Sequence, residues 1–261
     1  MGIKFGPAGL GSVKEAPLNM KRFSELGIRA CEIAFTYGPY IKEEETSEIK
    51  KTAEKYNIQL SIHAPYWINL NSEDVRKLNM SKKRILSSCK IGELLGAKYV
   101  VFHPGYYGKK SKDESFENIK NSVIEIMKDL REKKWKIKLA AETMGKVNVF
   151  GSIQDIKNLV KETGCEFCLD FAHLVARSNG KMEYREMVEE FSEFPVWRCH
   201  FSGIVYGEKG EKHHIKTPAG ELKSLLKLLK PISKNKEITI INESPYPLDD
   251  SISALKILES L

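Results

Sequence analysis

The chain has 261 residues, of which 41% are hydrophobic and 30% are charged, and its formal net charge is +7. This length and balance exclude a disordered chain and predict a single folded domain over residues 1–261. Because no apolar run reaches the roughly 18 residues of a membrane span and the first residues lack a signal-peptide pattern, we expect a cytoplasmic protein without a membrane segment.

Charge and cysteine content exclude few classes of function. An isoelectric point near 9.0 is compatible with a polyanionic partner such as nucleic acid, but abundant Lys and Glu also fit a heat-adapted surface rich in ion pairs. The five cysteines are odd in number and scattered, which argues against a disulfide framework. Cys165 and Cys168 form one C-x-x-C, without the second pair typical of structural zinc sites.

Short apolar or β-branched runs alternate with longer amphipathic stretches along the whole chain. They predict eight strands, at residues 3–6, 30–35, 59–64, 99–103, 138–143, 166–170, 196–201 and 237–243. Helical patterns include residues 72–95, closed by Gly96, and residues 116–134. Ser152 is the predicted N-cap of the fifth helix, and the seventh is predicted to open at Thr217, with Pro218 in its first turn.

Strict alternation of strand and helix predicts parallel strands joined by right-handed crossovers. Eight such units are what an α/β barrel of the (β/α)8, or TIM, type requires. An open doubly wound sheet is the alternative, but no glycine-rich phosphate-binding fingerprint follows any of the strands.

All six histidines lie at the C-terminal end of a predicted strand or in the loop after one. Strand ends of a barrel converge on one mouth, so residues far apart in sequence are expected to meet there. Any one histidine could equally be a hydrogen-bonded core residue, and it is their coincidence with carboxylates that indicates metal ligands. The candidates are His63, His103, Glu142, Asp170, His173, His200, Glu211, His213 and Glu243.

Imidazole and carboxylate ligands suit zinc, manganese or iron, and nine of them are enough for two or three ions. Asp170 and His173 are three residues apart, and in a continuing strand they would face opposite sides of the sheet. The sixth strand must therefore end near Phe171 if both residues are ligands.

Seven motifs of this chain resemble the endonuclease IV family of apurinic/apyrimidinic endonucleases, within the wider xylose-isomerase-like barrel superfamily. They are H-A-P-Y-W-I-N-L from His63, F-H-P-G around His103, the E-T of Glu142, L-D-F-A-H, H-F-S-G, E-K-H-H and N-E-S-P. The resemblance covers nearly the whole chain. It implies a centre of three Zn²⁺ ions, some of which could be replaced by Mn²⁺ or Fe²⁺.

The same resemblance assigns the ligands. His63, His103 and Glu142 would hold one ion, and Glu142 would bridge to a second ion held by Asp170, His200 and Glu243. His173, Glu211 and His213 would hold the third. Glu142 and Glu243 are the implied catalytic carboxylates, with Glu142 orienting the attacking water. Glu211 departs from the family, which usually has aspartate there.

The implied substrate is double-stranded DNA with an abasic site, cut on the 5′ side of the base-free sugar to leave a 3′-hydroxyl. We expect a monomeric enzyme. Tyr66 matches the tyrosine that the family inserts into DNA. After the second strand the family tends to have an arginine that enters the DNA, whereas this chain has F-T-Y-G-P-Y, with Tyr37 and Tyr40. Tyr66 and Tyr37 are therefore the candidate DNA contacts.

Basic residues near the mouth could follow the DNA backbone, namely Lys109, Lys110, Lys112, Lys146, Arg177, Lys209, Lys212 and Lys216.

Two alternatives remain open at this point. A sugar isomerase or epimerase of the same superfamily would need only Glu142, Asp170, His200 and Glu243, which leaves the other histidines unexplained. A barrel that binds damaged DNA or metal without turnover is the second alternative, suggested by Glu211 and the altered aromatic loop.

Overall fold

The computed structural model describes residues 2–261. The strands in that range are β1 (Ile3–Pro7), β2 (Ala30–Ala34), β3 (Gln59–His63), β4 (Tyr99–Phe102), β5 (Gly105–Tyr106), β6 (Lys138–Glu142), β7 (Val149–Phe150), β8 (Glu166–Asp170), β9 (Val196–Phe201), β10 (Gly203–Gly207), β11 (Gly210–Ile215) and β12 (Glu237–Asn242). The α-helices are α1 (Ala16–Glu25), α2 (Thr46–Lys55), α3 (Val75–Leu95), α4 (Lys112–Glu132), α5 (Ile153–Thr163), α6 (Phe171–Arg177), α7 (Tyr184–Glu190), α8 (Ala219–Ile232) and α9 (Pro247–Ser260).

Eight of these strands form one parallel sheet, in the order β1-β12-β9-β8-β6-β4-β3-β2. The sheet curls until its two edge strands meet, where Ala8 forms a parallel bridge with Glu32. Helices lie outside the strands, so the (β/α)8 barrel expected from the alternating pattern is confirmed. The remaining strands form two small antiparallel pairs, β10 with β11 and β5 with β7.

Gly6 is required where β1 and β2 meet. A Cβ atom at this position would lie 2.0 Å from the carbonyl oxygen of Ala30, a distance at which the backbones must move apart. Arg29 donates its backbone N–H to the carbonyl of Phe5 across the same seam, at 3.1 Å. The absence of a side chain at Gly6 therefore lets the first and second strands approach closely enough to close the barrel.

The predicted strands agree with the observed ones to within one residue at each end, because their apolar runs stop where the chain leaves the barrel. Helix α3 ends as predicted, with Gly96 in the left-handed conformation, and Ser152 caps α5. Helix α4 begins earlier than predicted, at Lys112, because Ser111 caps it and its first turn is charged rather than apolar. Helix α8 begins at Ala219, since Pro218 is its N-cap.

The two faces of the barrel strands have different compositions. Residues that face the helices are large and apolar and form the main core. Tyr99, Val101, Ala140 and Cys168 face the barrel axis and form a separate small cluster. Toward the N-terminal end the interior is polar, where Glu166 pairs with Arg198 at 3.1 Å. With a period of two along each strand, the same inward face carries the ligand-type residues at the C-terminal end.

Between residues 2 and 261, no helix has the length and the apolar character needed to cross a membrane.

Candidate metal centre

The C-terminal ends of the barrel strands bring eight of the nine candidate ligands together. Three groups have nitrogen or oxygen atoms within 4.8 Å of one another, which is close enough to share an ion. They are His63, His103 and Glu142; Glu142, Asp170, His200 and Glu243; and His173, Glu211 and His214. Neighbouring imidazole rings link the groups, with centroids 6.0 Å apart for His63 and His200 and 6.4 Å apart for His103 and His173.

Glu142 lies at the centre of the cluster and is fully buried at the end of β6. Its Oε2 is 3.2 Å from Nε2 of His63 and 3.0 Å from Nε2 of His103. Its Oε1 is 3.1 Å from Nδ1 of His200 and 3.3 Å from Nδ1 of His173. Oε2 therefore faces the first group, whereas Oε1 faces His200 of the second group and His173 of the third, so that Glu142 is placed to bridge between groups.

Three of the imidazoles have one ring nitrogen held by a backbone carbonyl. Nδ1 of His63 is 2.7 Å from the oxygen of Ala64, and Nδ1 of His173 is 2.9 Å from that of Thr143. Nδ1 of His214 is 3.2 Å from the oxygen of Glu243. Because a carbonyl only accepts, each Nδ1 carries a hydrogen, so that the neutral ring presents the lone pair of Nε2 to the cluster.

The electrostatics of the cluster are those of closely packed acids and imidazoles. Burial alone would raise the pKa of Glu142, but the charges of His200 and His103 hold it well below its usual value. Burial would lower the pKa of His63, yet its hydrogen bond to Glu142 raises it to about 9. Burial acts in the same way on His173, but Asp170 and Glu142 raise its pKa well above the usual value. Without an ion, protons on the imidazoles therefore balance the carboxylates.

The residues present fit a metal ion. Asp170 Oδ2 is completely buried, and within the described part of the chain it has no hydrogen-bond partner. Leaving a carboxylate oxygen in this state is costly unless a cation or proton satisfies it. The donor set of imidazoles and carboxylates, without thiolates, matches the preferences of zinc and of similar divalent ions.

The direct transition from β8 to α6 places the side chains of Asp170 and His173 on the same side. The strand ends at Asp170, and α6 begins at Phe171, as the spacing of the two ligands demanded. Asp170 caps this helix by accepting a hydrogen bond from the backbone N–H of His173, at 2.6 Å. The turn of helix then carries the His173 ring back over the mouth of the barrel.

The structure differs from the sequence-based choice at His213. That side chain is exposed, and the neighbouring His214 lies with His173 and Glu211. In a regular strand, Glu211 and His213 would share a face. The pairing of β10 with β11 shifts register at this point, so that Val205 pairs with His213, Tyr206 pairs with Glu211, and Lys212 is left over as a bulge. The bulge reverses the alternation and turns His214 inward.

Sequence reasoning missed Glu32, which lies in the middle of β2 and is 1% exposed. Its Oε1 is 2.9 Å from Nε2 of His200, and its Oε2 accepts a hydrogen bond from the Ser61 hydroxyl at 2.7 Å. The charges of His200 and His63 hold the pKa of Glu32 below its usual value, although burial opposes this. A single charged residue within the otherwise apolar run A-C-E-I-A was the signal that could have identified it.

Aromatic side chains surround the mouth. Tyr66 packs against His63 and His103, with ring centroids 5.4 and 5.5 Å away. The adjacent Trp67 is 65% exposed, and Tyr37, in the loop after β2, is 83% exposed. Tyr40 differs from Tyr37, because its hydroxyl donates to the carbonyl of Gly11 at 3.1 Å. Sequence reasoning had not singled out Trp67.

A cavity of about 210 Å³ opens beside the ligand groups, lined in part by Tyr66, His103, Met144, Lys146 and Glu211. It combines an aromatic wall, a cation and candidate ligands, as a binding site for a small polar group would. A larger cavity of about 930 Å³ lies between α7, α8 and the outer side of β10, and none of the candidate ligands lines it.

Five of the eight basic residues expected near the mouth divide into two kinds. The Arg177 guanidinium donates to the carbonyls of Lys146 and Val149, at 2.6 and 2.9 Å, and so stabilises the loop after β6. By contrast, in residues 2–261 no ion pair involves Lys146, Lys209, Lys212 or Lys216. These four lysines lie in or beside the β10–β11 hairpin, where they outnumber the carboxylates of Glu208 and Glu211.

The chain is similar in sequence to known proteins. A sequence model of the xylose isomerase-like TIM barrel family matches residues 20–230. An uncharacterized protein of Methanocaldococcus jannaschii is 33% identical over 98% of this chain and 97% of that protein. The apurinic-apyrimidinic endonuclease of Caenorhabditis elegans is 27% identical over 59% of this chain, and the match spans only 40% of that enzyme.

Two solved structures share the fold. Endonuclease IV from Thermus thermophilus superposes with a TM-score of 0.69 at 18% identity, covering 98% of each chain. A D-tagatose 3-epimerase-like protein superposes with a TM-score of 0.72 at 20% identity, covering 98% of this chain and 96% of that one. At these identities the likeness shows the fold alone, and it extends to both a nuclease and an epimerase-like protein.

Proposed function

The chain belongs to the xylose isomerase-like TIM barrel family, and within it we propose that this protein is a metal-dependent DNA-repair endonuclease. It cleaves the phosphodiester on the 5′ side of an abasic site in double-stranded DNA and leaves a 3′-hydroxyl. The observation that carries the proposal is the presence of three ligand groups at one mouth, where a single group would serve a sugar isomerase.

Three Zn²⁺ ions are the proposed cofactors. His63, His103 and Glu142 would hold the first, Glu142, Asp170, His200 and Glu243 the second, and His173, Glu211 and His214 the third. His214 replaces His213 in this assignment because of the bulge at Lys212. Glu211 reaches the third group despite its extra methylene, with Oε2 3.6 Å from Nε2 of His173. Ions bound there would neutralise the charge of a phosphate and lower the pKa of a coordinated water.

The carboxylates have separate tasks in this proposal. Glu142, buried between the groups, orients the attacking water and holds it against the phosphorus. Glu243 lies at the more open edge, with its Oε2 3.5 Å from Nδ1 of His200 and its side chain 15% exposed. From this position it can contact the bound phosphodiester while keeping the second group together.

DNA binding is assigned to the rim. Tyr66, Trp67 and Tyr37 present exposed aromatic faces on which bases can stack when the base-free nucleotide leaves the helix. Lys146, Lys209, Lys212 and Lys216 supply sequence-independent attraction to phosphates, so binding should weaken steeply with salt.

The test is cleavage of a duplex that contains one tetrahydrofuran abasic analogue, beside an undamaged duplex of the same sequence. We expect an incision next to the lesion that chelator abolishes and zinc restores, and that Glu142→Gln lacks. Glu237→Gln is the matched control, because this carboxylate lies at the opposite end of the barrel in contact with Lys4. Absence of a chelator-sensitive cut at every zinc or manganese concentration would refute the nuclease.

A sugar epimerase is the second candidate, supported by the group formed by Glu142, Asp170, His200 and Glu243, which would suffice for it. Incubation with ketohexoses and detection of the epimer by NMR decides between the two. Epimerisation with one ion per chain, and no DNA cleavage, would favour it. Three bound ions with neither activity would favour a non-catalytic binding protein.

A further inference from the structure

His200 is oriented differently from the three imidazoles that donate to backbone carbonyls. Its Nδ1 faces the cluster, 3.1 Å from Glu142 Oε1 and 3.5 Å from Glu243 Oε2. Its Nε2 points away from the mouth into the barrel, where the carboxylate oxygen Oε1 of Glu32 lies 2.9 Å away. A carboxylate thus occupies the position that a carbonyl occupies behind His63, His173 and His214.

Packing alone does not account for Glu32. The residue is in the middle of β2, its side chain faces the barrel axis, and its Oε2 accepts a hydrogen bond from Ser61. Oε1 lies 2.9 Å from His200 Nε2 without forming a well-aligned hydrogen bond, and within residues 2–261 neither atom has a hydrogen-bond partner. A buried carboxylate of which only one oxygen accepts a hydrogen bond is destabilising unless the neighbouring imidazole donates a hydrogen bond to the other oxygen.

We propose that Glu32 is a positioning residue for the metal centre. It accepts the Nε2–H of His200, so that Nδ1 keeps its lone pair and is directed at the second group of ligands. A carboxylate in this role also makes the imidazole a stronger donor to a metal than a carbonyl does. The inference rests on the metal centre of the proposed function and not on DNA cleavage.

A purely structural role for Glu32 makes a different prediction. If the carboxylate served only to hold β2 against β3 through Ser61, its loss would loosen the barrel and weaken all ligand groups together. If it positions His200, its loss weakens only the ion held by Glu142, Asp170, His200 and Glu243. The selectivity of the loss therefore separates the two roles.

The experiment is a zinc titration of the metal-free 261-residue chain, with bound zinc counted by elemental analysis and affinities taken from competition with a chelating dye. Glu32→Gln keeps a hydrogen-bond acceptor without the charge and should weaken one site about tenfold. Glu32→Met removes both and should weaken it about a hundredfold, since loss of such partners costs roughly 10–100-fold in metal affinity. His200→Ala identifies the site concerned, and Glu237→Gln is the control.

Each outcome decides the question. Selective weakening of the site that His200→Ala removes supports the positioning role, even if abasic DNA is never cut and the nuclease proposal falls. Wild-type affinity in both variants overturns the role while leaving the metal centre intact, as does equal weakening of every site. If Glu32→Met does not fold, Glu32→Gln still separates the two roles, although the expected loss of zinc affinity is smaller. Failure of the wild type to bind zinc overturns the metal centre and the role of Glu32 together.

Discussion

Replacing His214 by alanine is expected to remove one of the three proposed zinc ions, whereas the same change at His213 should remove none. The two histidines are adjacent in sequence, equal in chemistry and on opposite faces of β11. His214 Nε2 faces Glu211, 3.9 Å from its Oε1, while its Nδ1 is held by the carbonyl of Glu243. The exposed His213 is therefore a matched control for charge, size and local strand propensity.

The size of the effect follows from the number of ligands. Structural zinc sites with four protein ligands bind with apparent free energies of about 10–16 kcal/mol, or about 3 kcal/mol per ligand. The third group offers three ligands, His173, Glu211 and His214. Loss of one of them should weaken that site by about a hundredfold, since each 1.4 kcal/mol is about a factor of ten.

The assay is zinc stoichiometry after dialysis against a zinc buffer set between the wild-type and weakened affinities. The wild type and His213→Ala should retain three ions, and His214→Ala two. A ligand missing from the third group should leave the other two groups occupied, because they share no side chain with it. Loss of zinc in His213→Ala but not in His214→Ala would refute the bulge argument and restore the regular alternation of the strand.

Four further outcomes are expected. Glu142→Gln should lower the cleavage rate by at least a factor of 100, measured in single turnovers on abasic DNA, with the duplex still bound. In the metal-free protein, protonated His63 stabilises the fold by roughly 3 kcal/mol, because its pKa is raised from 6.5 to about 9. This contribution is fully present below pH 6.5 and is lost as the pH rises through about 9. Urea unfolding over this pH range should therefore show a smaller loss of stability in His63→Gln than in the wild type. Trp67→Ala should weaken abasic DNA binding by about 1–3 kcal/mol in a fluorescence anisotropy titration, with zinc content unchanged. Gly6→Ala should lower the free energy of unfolding by about 1–3 kcal/mol, because the new Cβ meets the backbone of Ala30, and an unchanged urea midpoint would contradict this.

Zinc should reverse the pH trend of the metal-free protein. An ion competes with protons for His63, so zinc-induced stabilisation should grow as the pH rises from 6.5 towards 9. Thermal melts with and without zinc measure this difference directly. A zinc effect that does not change over this range would indicate that His63 is not a ligand.

The barrel and most of the candidate site could be predicted from the sequence because both depend on local periodicity. Apolar runs of four to seven residues specify where strands start and stop, and in a barrel each strand end faces the same mouth. Residues such as His63 and His103 could therefore be placed together without knowledge of any contact between them. Asp170 and His173 could be placed as well, since their spacing requires the strand to end between them.

The tertiary structure alone decided two features. The choice between His213 and His214 depends on a bulge at Lys212, which arises from pairing with β10 and leaves no mark in the spacing of β11 itself. The role of Glu32 depends on β2 and β9 facing each other across the barrel axis, which sets its carboxylate against His200. Periodicity reports which face a residue occupies, but the partner across the barrel is determined only when the sheet closes.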